Sequence, residues 1–205
     1  MSQIILLDVD GVLIRNPAIQ KYVTHRSVEF VRKYHPNQSY DTVKNLNTIC
    51  YTKLGHSSFL VRNSKQTVVD YNEYVFDEDT LRFVRNNVTE RDVERLHNVM
   101  RLVDYRRIDT GLCTNSPQVY CEELFSSLEY DIRQFDHLIT SDSGFIKPMS
   151  AFFDAADVQT NEYSTIHFID DSVLNTKAVR RRPRWNAHVV TDDDSIYRCI
   201  TSICN

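Results

Sequence analysis

Two aspartates near the start of the chain, Asp8 and Asp10, are the first candidates for chemistry. Side chains alternate along an extended segment, so these two carboxylates leave the same face while Val9 points the other way. Carboxylates crowded at the end of a buried strand repel each other unless a positive charge lies between them, and a divalent cation bound by oxygen ligands supplies that charge. Gly11 then lets the backbone turn sharply and approach a ligand. The segment predicts a catalytic acidic pair.

Acidic turns with a glycine also occur in calcium loops and in ordinary surface turns, so this spacing leaves both alternatives open. Calcium loops of the helix-loop-helix kind continue with further acids and a terminal glutamate. Here Val12, Leu13 and Ile14 follow instead. We therefore prefer the catalytic interpretation of the pair.

The elements around this pair indicate the fold. The apolar run Ile4 to Leu7 predicts a short strand buried on both faces of a parallel sheet. Further predicted strands cover 108–113, 135–140, 166–169 and 187–190, and the predicted helices that alternate with them cover 89–103, 117–128, 148–156 and 173–180. This alternation predicts an α/β fold with a doubly wound parallel sheet, which places functional residues at the carboxyl ends of the strands.

Residues 16–87 differ in texture, because glycine is rare there and tyrosines and polar residues are frequent. Pro17 begins a predicted helix that ends before His35, and a second predicted helix runs from Tyr40 to Leu54. The pattern over 59–76 admits either strand or helix. We therefore expect an inserted, mostly helical domain. The predicted organisation is a core of 1–15 and 88–205 with an insertion of 16–87.

Composition limits the class of protein. The chain has 205 residues, 41% of them hydrophobic and 25% charged, which suits a globular protein with one good core. A net charge of −4 argues against a protein that coats nucleic acid. Membrane-length apolar runs and a secretory signal pattern are missing from the sequence, so we expect a cytoplasmic protein without a membrane partner. Five dispersed cysteines without a CxxC pair indicate neither a disulfide framework nor a zinc site; they are Cys50, Cys113, Cys121, Cys199 and Cys204.

Polar residues follow the later predicted strands as well. Each has an ordinary explanation, since Thr114 can cap a helix, Lys147 can be a surface lysine, and Asp170 with Asp171 can form an N-cap. The predicted sheet, however, brings all of them to one edge. There they supply what phosphoryl transfer requires: carboxylates for a nucleophile and a metal, a hydroxyl and a helix amino end for phosphate oxygens, and a lysine to offset charge.

Four motifs carry a resemblance to a known family. They are DVDGV at 8–12, LCTNS at 112–116, IKP with Phe152 at 146–152, and FIDDSVLN at 168–175. With these motifs, in the same order, the chain resembles the haloacid dehalogenase (HAD) superfamily of aspartate-nucleophile phosphohydrolases. The likeness covers the whole chain except 16–87. That segment falls where the superfamily inserts its first type of cap domain, so the resemblance implies a Rossmann-like HAD core with a helical cap.

The resemblance also implies roles for individual residues. Asp8 would be the nucleophile that becomes an aspartyl phosphate. Asp10 would protonate the leaving oxygen and later deprotonate the attacking water, which needs a pKa near the working pH. Thr114 and the backbone amide of Asn115 would hold the phosphoryl oxygens. Lys147 would tie the nucleophile to the phosphate.

The same resemblance implies a bound Mg²⁺. Its ligands would be Asp8, the backbone carbonyl of Asp10 and Asp171, with Asp170 reached directly or through water. Asn175 stands where many relatives carry another acid. Members of the family that act as dehalogenases or phosphonatases lack a carboxylate at the position of Asp10, so the resemblance favours phosphate esters.

We therefore predict a magnesium-dependent phosphatase for a small phosphorylated metabolite, with the cap closing over the site. A phosphomutase or phosphotransferase, and a catalytically silent phosphate-binding regulatory protein, remain alternatives. The sequence fixes neither the substrate nor the oligomeric state.

Two further groups of residues leave alternatives open. A basic cluster near the carboxyl end suits nucleic-acid binding, attraction of an anionic substrate, or a solvated helix end, and we prefer the last. Its members are Lys177, Arg180, Arg181, Arg182 and Arg184. The tyrosines of 16–87 suit either a substrate pocket or amphipathic packing. They are Tyr22, Tyr34, Tyr40, Tyr51, Tyr71 and Tyr74.

Overall fold

The computed structural model of the protein describes residues 2–62 and 64–203. Its sheet consists of five parallel strands in the order β3-β2-β1-β4-β5. The strands are β1 (Gln3–Leu7), β2 (Asp109–Cys113), β3 (His137–Ile139), β4 (Thr165–Asp170) and β5 (Trp185–Val189). The chain winds from β1 to one edge and then from β4 to the other, so the predicted doubly wound α/β fold is confirmed.

The central position of β1 in the sheet explains its continuous apolar sequence. Residues Ile4 to Leu7 are all fully buried. Ile5 and Leu7 belong to one apolar cluster, and Ile4 and Leu6 belong to a second cluster on the other face of the sheet. A strand covered by helices on both faces requires apolar residues at every position, which is why this run does not alternate.

Helices are present where they were predicted, and further helices over 78–87 and 193–203 were not predicted. The helices are α1 (Pro17–Tyr34), α2 (Tyr40–Leu54), α3 (Lys65–Val75), α4 (Glu78–Asn87), α5 (Glu90–Arg106), α6 (Gln118–Ser127), α7 (Ser150–Gln159), α8 (Val173–Val179) and α9 (Asp193–Ile203). Asn16 caps α1 by accepting hydrogen bonds from Ala18 and Ile19. Thr89 and Asp92 form a capping box at α5.

Local sequence signals such as capping residues explain several of these helix and strand bounds. The predicted helix from Tyr40 to Leu54 is confirmed, and Gly55 ends it in the left-handed region with φ of +87°. Within the ambiguous stretch 59–76, the described residues include the end of a 3₁₀ helix (Ser57–Leu60) and the whole of α3, and Ser64 caps α3 by accepting a hydrogen bond from the backbone N–H of Thr67. β3 is shorter than predicted, since Phe135 still closes a 3₁₀ turn.

The remaining sequence predictions concern cysteines and membranes. Cys50, Cys113 and Cys121 are buried free thiols, and Cys204 lies outside the described residues. Within 2–62 and 64–203, helices with the length and apolar character needed to cross a bilayer do not occur.

Candidate active site

The carboxyl ends of the strands place the predicted polar residues at one edge of the sheet. Asp8 directly follows β1, and its N–H donates to the carbonyl of Ile169 on β4 over 2.9 Å. Thr114 directly follows β2, and its N–H donates to the carbonyl of Ile139 on β3 over 2.9 Å. Both residues therefore extend the sheet ladder by one step, which fixes their positions.

Lys147 lies at the centre of this edge. Its side chain is fully buried, and its Nζ is 3.0 Å from Oδ1 of Asp8 and 2.7 Å from Oδ2 of Asp170. The same ammonium donates to the carbonyl of Cys113 over 2.7 Å. Burial lowers the pKa of Lys147, but the two carboxylates outweigh burial and raise the pKa above its usual range. The lysine is therefore a fixed positive charge between two buried acids.

The loop that carries Lys147 is held by Asn115. The Asn115 side chain accepts the backbone N–H of Lys147 over 2.6 Å and donates to the Lys147 carbonyl over 3.1 Å. Asn115 was expected to act through its backbone amide, and this side-chain pairing was not predicted. Thr114 is buried beside it, and its Oγ1 accepts the N–H of Ser116 over 3.2 Å.

The carboxyl group of Asp10 has two hydroxyl donors. Ser116 donates to Oδ2 and Tyr120 donates to Oδ1, each over 2.9 Å. Burial raises the pKa of Asp10, and these two hydrogen bonds partly oppose that effect. Neither donor was predicted as a partner of Asp10, although each lies within seven residues of the end of β2.

Three carboxylates, from Asp8, Asp170 and Asp171, form the acidic group of the site. One oxygen of each lies within 4.8 Å of the other two. Burial raises the pKa of Asp8, and it raises that of Asp171 to about 6, with neighbouring carboxylates adding to both effects. The side chain of Asp10 is outside this group, so only its backbone carbonyl stays available as the expected ligand. Hard oxygen donors at this spacing suit a divalent cation such as Mg²⁺.

Asn175 and Gly11 border the acidic group. The Asn175 Nδ2 donates to both carboxylate oxygens of Asp170 over 3.1 Å, while its buried Oδ1 accepts no hydrogen bond from the described residues. A free acceptor beside the carboxylates suits a water bound to a cation. Gly11 has φ of +86°, and a Cβ there would lie 2.1 Å from Oδ2 of Asp171. Glycine is therefore needed for both its conformation and its size.

A cavity of about 420 Å³ opens over this edge. It is bounded on one side by residues at the strand ends, including Asp8, Asp10 and Thr114, and on the other by residues of α1, α2 and α3. Among the tyrosines named above, Tyr51 and Tyr71 line the cavity. The others make packing contacts: for example, Tyr22 stacks on Phe83, with ring centroids 4.0 Å apart.

The basic cluster lies away from the site. Arg184 immediately precedes β5, at the amino edge of the sheet, and it donates to the carbonyls of Thr160 and Tyr163. Arg182 and Arg184 both pair with Asp157. The cluster contributes no lining residue to the cavity among the described residues. These two arginines therefore stabilise the packing of α7.

Comparison with solved structures gives relatives of the fold. An HAD phosphatase from Thermococcus onnurineus superposes with a TM-score of 0.59 at 12% identity, covering 99% of this chain and 98% of that one. The putative HAD-hydrolase YfnB from Bacillus subtilis, bound to magnesium, superposes with a TM-score of 0.55 at 13% identity, covering 91% of this chain and 85% of that one. The L-2-haloacid dehalogenase from Xanthobacter autotrophicus superposes with a TM-score of 0.55 at 12% identity, covering 93% of this chain and 78% of that one.

Sequence comparison alone finds no such relatives. No protein-family model matches the chain, and a search of curated proteins gives no match. At 12 to 13% identity the structural likeness shows the fold and leaves the reaction open.

Proposed function

The chain has the fold of the HAD-superfamily hydrolases, and we propose that it is a magnesium-dependent phosphatase that acts through an aspartyl phosphate on a small phosphorylated metabolite. The observation that carries this proposal is the contact of Lys147 with Asp8 and Asp170 beside an independently held Asp10. With Asp8 as the nucleophile, Lys147 as a fixed positive charge and Asp10 as a separate proton donor, the groups that this reaction needs would all be present, and Asp8 and Asp10 line the cavity.

In the first step, a carboxylate oxygen of Asp8 attacks the phosphorus of the monoester. The bond between phosphorus and the ester oxygen breaks, and Asp10 gives its proton to the leaving oxygen as an alcohol forms. The ammonium of Lys147 and the hydroxyl of Thr114 offset charge that develops on the phosphoryl oxygens. In the free site, burial favours the protonated form of Asp10 that this step needs.

In the second step, Asp10 takes a proton from a water molecule that attacks the phosphorus of the phosphoenzyme. The bond between phosphorus and Asp8 breaks, which releases inorganic phosphate and regenerates the carboxylate. Asp10 lies on the same strand-end turn as Asp8, so one carboxyl group can serve both steps.

The acidic group would hold the Mg²⁺ through Asp8, Asp171 and the Asp10 carbonyl, with Asp170 nearby. A bound Mg²⁺ supplies positive charge that allows anionic phosphate to approach an anionic nucleophile. The magnesium bound to the Bacillus subtilis neighbour supports this choice of ion. The spacing of the three carboxylates supports it independently.

Dehalogenation is the main rival reaction, since one structural neighbour is a haloacid dehalogenase. A halide ion leaves without a proton, so that reaction has no use for a general acid at position 10. The two hydroxyl donors that orient Asp10 therefore favour a leaving oxygen.

We also propose that residues 16–87 act as a cap that selects the substrate and excludes water. Helices α1, α2 and α3 supply one wall of the cavity, which supports this assignment. Closure over the reacting atoms strengthens electrostatic stabilisation of the transition state. A cytoplasmic location stays a prediction.

Release of inorganic phosphate tests the proposal. The wild-type protein with Mg²⁺ should hydrolyse p-nitrophenyl phosphate, and Asp8→Asn should remove that activity without changing the fold. Asp79→Asn is the matched control, because Asp79 is on the surface and pairs with Arg82. Full activity of Asp8→Asn, or failure of the wild type to hydrolyse any monoester in a broad screen, would contradict the proposal.

A further inference from the structure

The helical wall of the cavity has an uncharged, hydrogen-bonding surface. On α1, cavity residues recur at helical spacing and include Gln20, Thr24 and Ser27. On α2, Asn47 and Thr48 are followed one turn later by Tyr51 and Thr52. Among the described residues that line the cavity, neither lysine nor arginine occurs. The three lining carboxylates, from Asp8, Asp10 and Asp171, are all at the strand ends.

Asn47 is one of the buried polar residues of this wall. It is 4% exposed and lies on the inward face of α2, between Val43 and Cys50, which are also buried. A position in such a stripe is normally apolar. The Asn47 Oδ1 nevertheless accepts no hydrogen bond from any residue within the described ranges. A buried acceptor without a donor destabilises a protein, so this amide calls for a ligand group that donates to it.

The histidine of the wall is uncharged as well. The Nδ1 of His56 accepts the N–H of Ser58 over 3.2 Å, which places the ring proton on Nε2. Burial lowers the pKa of His56 to about 4, so the ring is neutral at neutral pH. Beyond the phosphate, the wall therefore contributes no positive charge that would pair with a second phosphate or a carboxylate.

We propose that the substrate is a monophosphate ester of a neutral polyhydroxylated group, such as a sugar or a polyol, and that Asn47 is a specificity residue that accepts a hydrogen bond from one of its hydroxyl groups. This inference rests on the proposed phosphatase function. An anionic leaving group would lie against neutral side chains and near the carboxylates of the strand ends, where none of the described lining residues offers a lysine or arginine to pair with its charge.

Three six-carbon monophosphates separate these chemistries. Glucitol 6-phosphate has a neutral polyol, hexyl phosphate lacks the hydroxyl groups, and 6-phosphogluconate carries a carboxylate at the far end. We expect kcat/KM for glucitol 6-phosphate to exceed that for each of the others by about tenfold or more, which corresponds to one well-made hydrogen bond. A higher kcat/KM for hexyl phosphate or 6-phosphogluconate would overturn the inference.

A pair of Asn→Leu variants tests the residue itself. Asn47→Leu should lower kcat/KM for glucitol 6-phosphate about tenfold and leave hexyl phosphate within twofold, because only the polyol loses a hydrogen bond. Asn72→Leu is the control, since Asn72 is also buried with an unpartnered Oδ1 but does not line the cavity. Asn72→Leu should change kcat/KM for glucitol 6-phosphate and for hexyl phosphate by the same factor. Equal losses on both substrates in Asn47→Leu would show a structural role and overturn the assignment.

These outcomes are separable from failure of the proposed function. If no monoester releases phosphate, or if Asp8→Asn stays active, the phosphatase proposal itself is wrong. If phosphate is released and depends on Asp8, but the polyol preference or its dependence on Asn47 is absent, only the present inference is wrong.

Discussion

The phenol of Tyr120 donates a hydrogen bond to Oδ1 of Asp10 over 2.9 Å, and the aromatic ring is fully buried behind the site. Together with Ser116, it fixes both oxygens of a carboxyl group that the acidic cluster does not include. The carboxyl group of Asp10 is thus held apart from that of Asp8, which suits a general acid and base better than a cation ligand and leaves the Asp10 backbone carbonyl free for the ion.

Asp10→Asn should therefore impair protonation of the leaving group. We expect kcat for an alkyl phosphate to fall by about 10² to 10⁴. With p-nitrophenyl phosphate, the rate of the first step, formation of the aspartyl phosphate, should fall much less, because p-nitrophenolate leaves without a proton. Burst kinetics with the two esters measures that step. Equal losses in the burst rate for both esters would contradict the assignment.

The buried ion pairs of Lys147 give a prediction on stability. Lys147→Met leaves Asp8 and Asp170 as uncompensated buried charges, so the free energy of unfolding should fall by about 3 to 5 kcal/mol. Urea denaturation measures this change. Lys177→Met, at an exposed position, should stay within about 0.5 kcal/mol of the wild type.

A double variant separates charge from packing at this position. If uncompensated charge is the cause, Lys147→Met with Asp170→Asn should be more stable than Lys147→Met alone. A double variant that is no more stable than the single variant would contradict the electrostatic explanation.

The strand ends were predictable from sequence because a parallel sheet imposes their convergence. Asp8, Thr114 and Asp170 are each adjacent to an apolar run, and the alternation of strands and helices places those runs side by side. The capping signals at Thr89 and Gly55 are equally local, so helix bounds there agree with the structure.

Contacts between elements that are distant in sequence were harder to predict. The pairing of Asn115 with the backbone of Lys147 depends on how two loops meet, and local patterns do not encode that. The burial of Asn47 depends on how α2 packs on its neighbours. One signal was present in the sequence: Asn47 interrupts the apolar spacing of Val43 and Cys50, and such a break can be noticed before the structure is known.

His56 should make stability depend on pH. Its pKa is about 4 in the folded protein, lowered by burial from an ordinary value of 6.5. Since the folded state disfavours the proton, the contribution is present above pH 6.5 and is lost as the pH falls towards 4. The loss is about 2 kcal/mol by pH 5 and reaches about 3 kcal/mol below pH 4.

Urea denaturation at pH 7 and pH 5 measures this dependence in the wild type and in His56→Asn. The variant lacks the titrating ring. Between pH 7 and pH 5, its free energy of unfolding should therefore fall by about 2 kcal/mol less than that of the wild type. Parallel pH dependence in the two proteins would show that His56 does not carry the effect.

Gly11 links the backbone turn after β1 to the acidic group. In Gly11→Ala the new Cβ meets Oδ2 of Asp171 at 2.1 Å, so the carboxylate must leave its position in the acidic group. Mg²⁺ should stabilise the wild type by about 2.7 kcal/mol at a hundred times its Kd, and Gly11→Ala should lose most of this gain. Gly144→Ala is the matched control, because Gly144 also has a positive φ, +74°, but the atoms nearest to its Cβ belong to the side chain of Lys65 and not to the acidic group. Both variants carry the strain of a left-handed alanine, about 1 to 2 kcal/mol, so only the response of thermal unfolding to Mg²⁺ distinguishes them. A full response in Gly11→Ala would show that Asp171 is not needed to bind the ion.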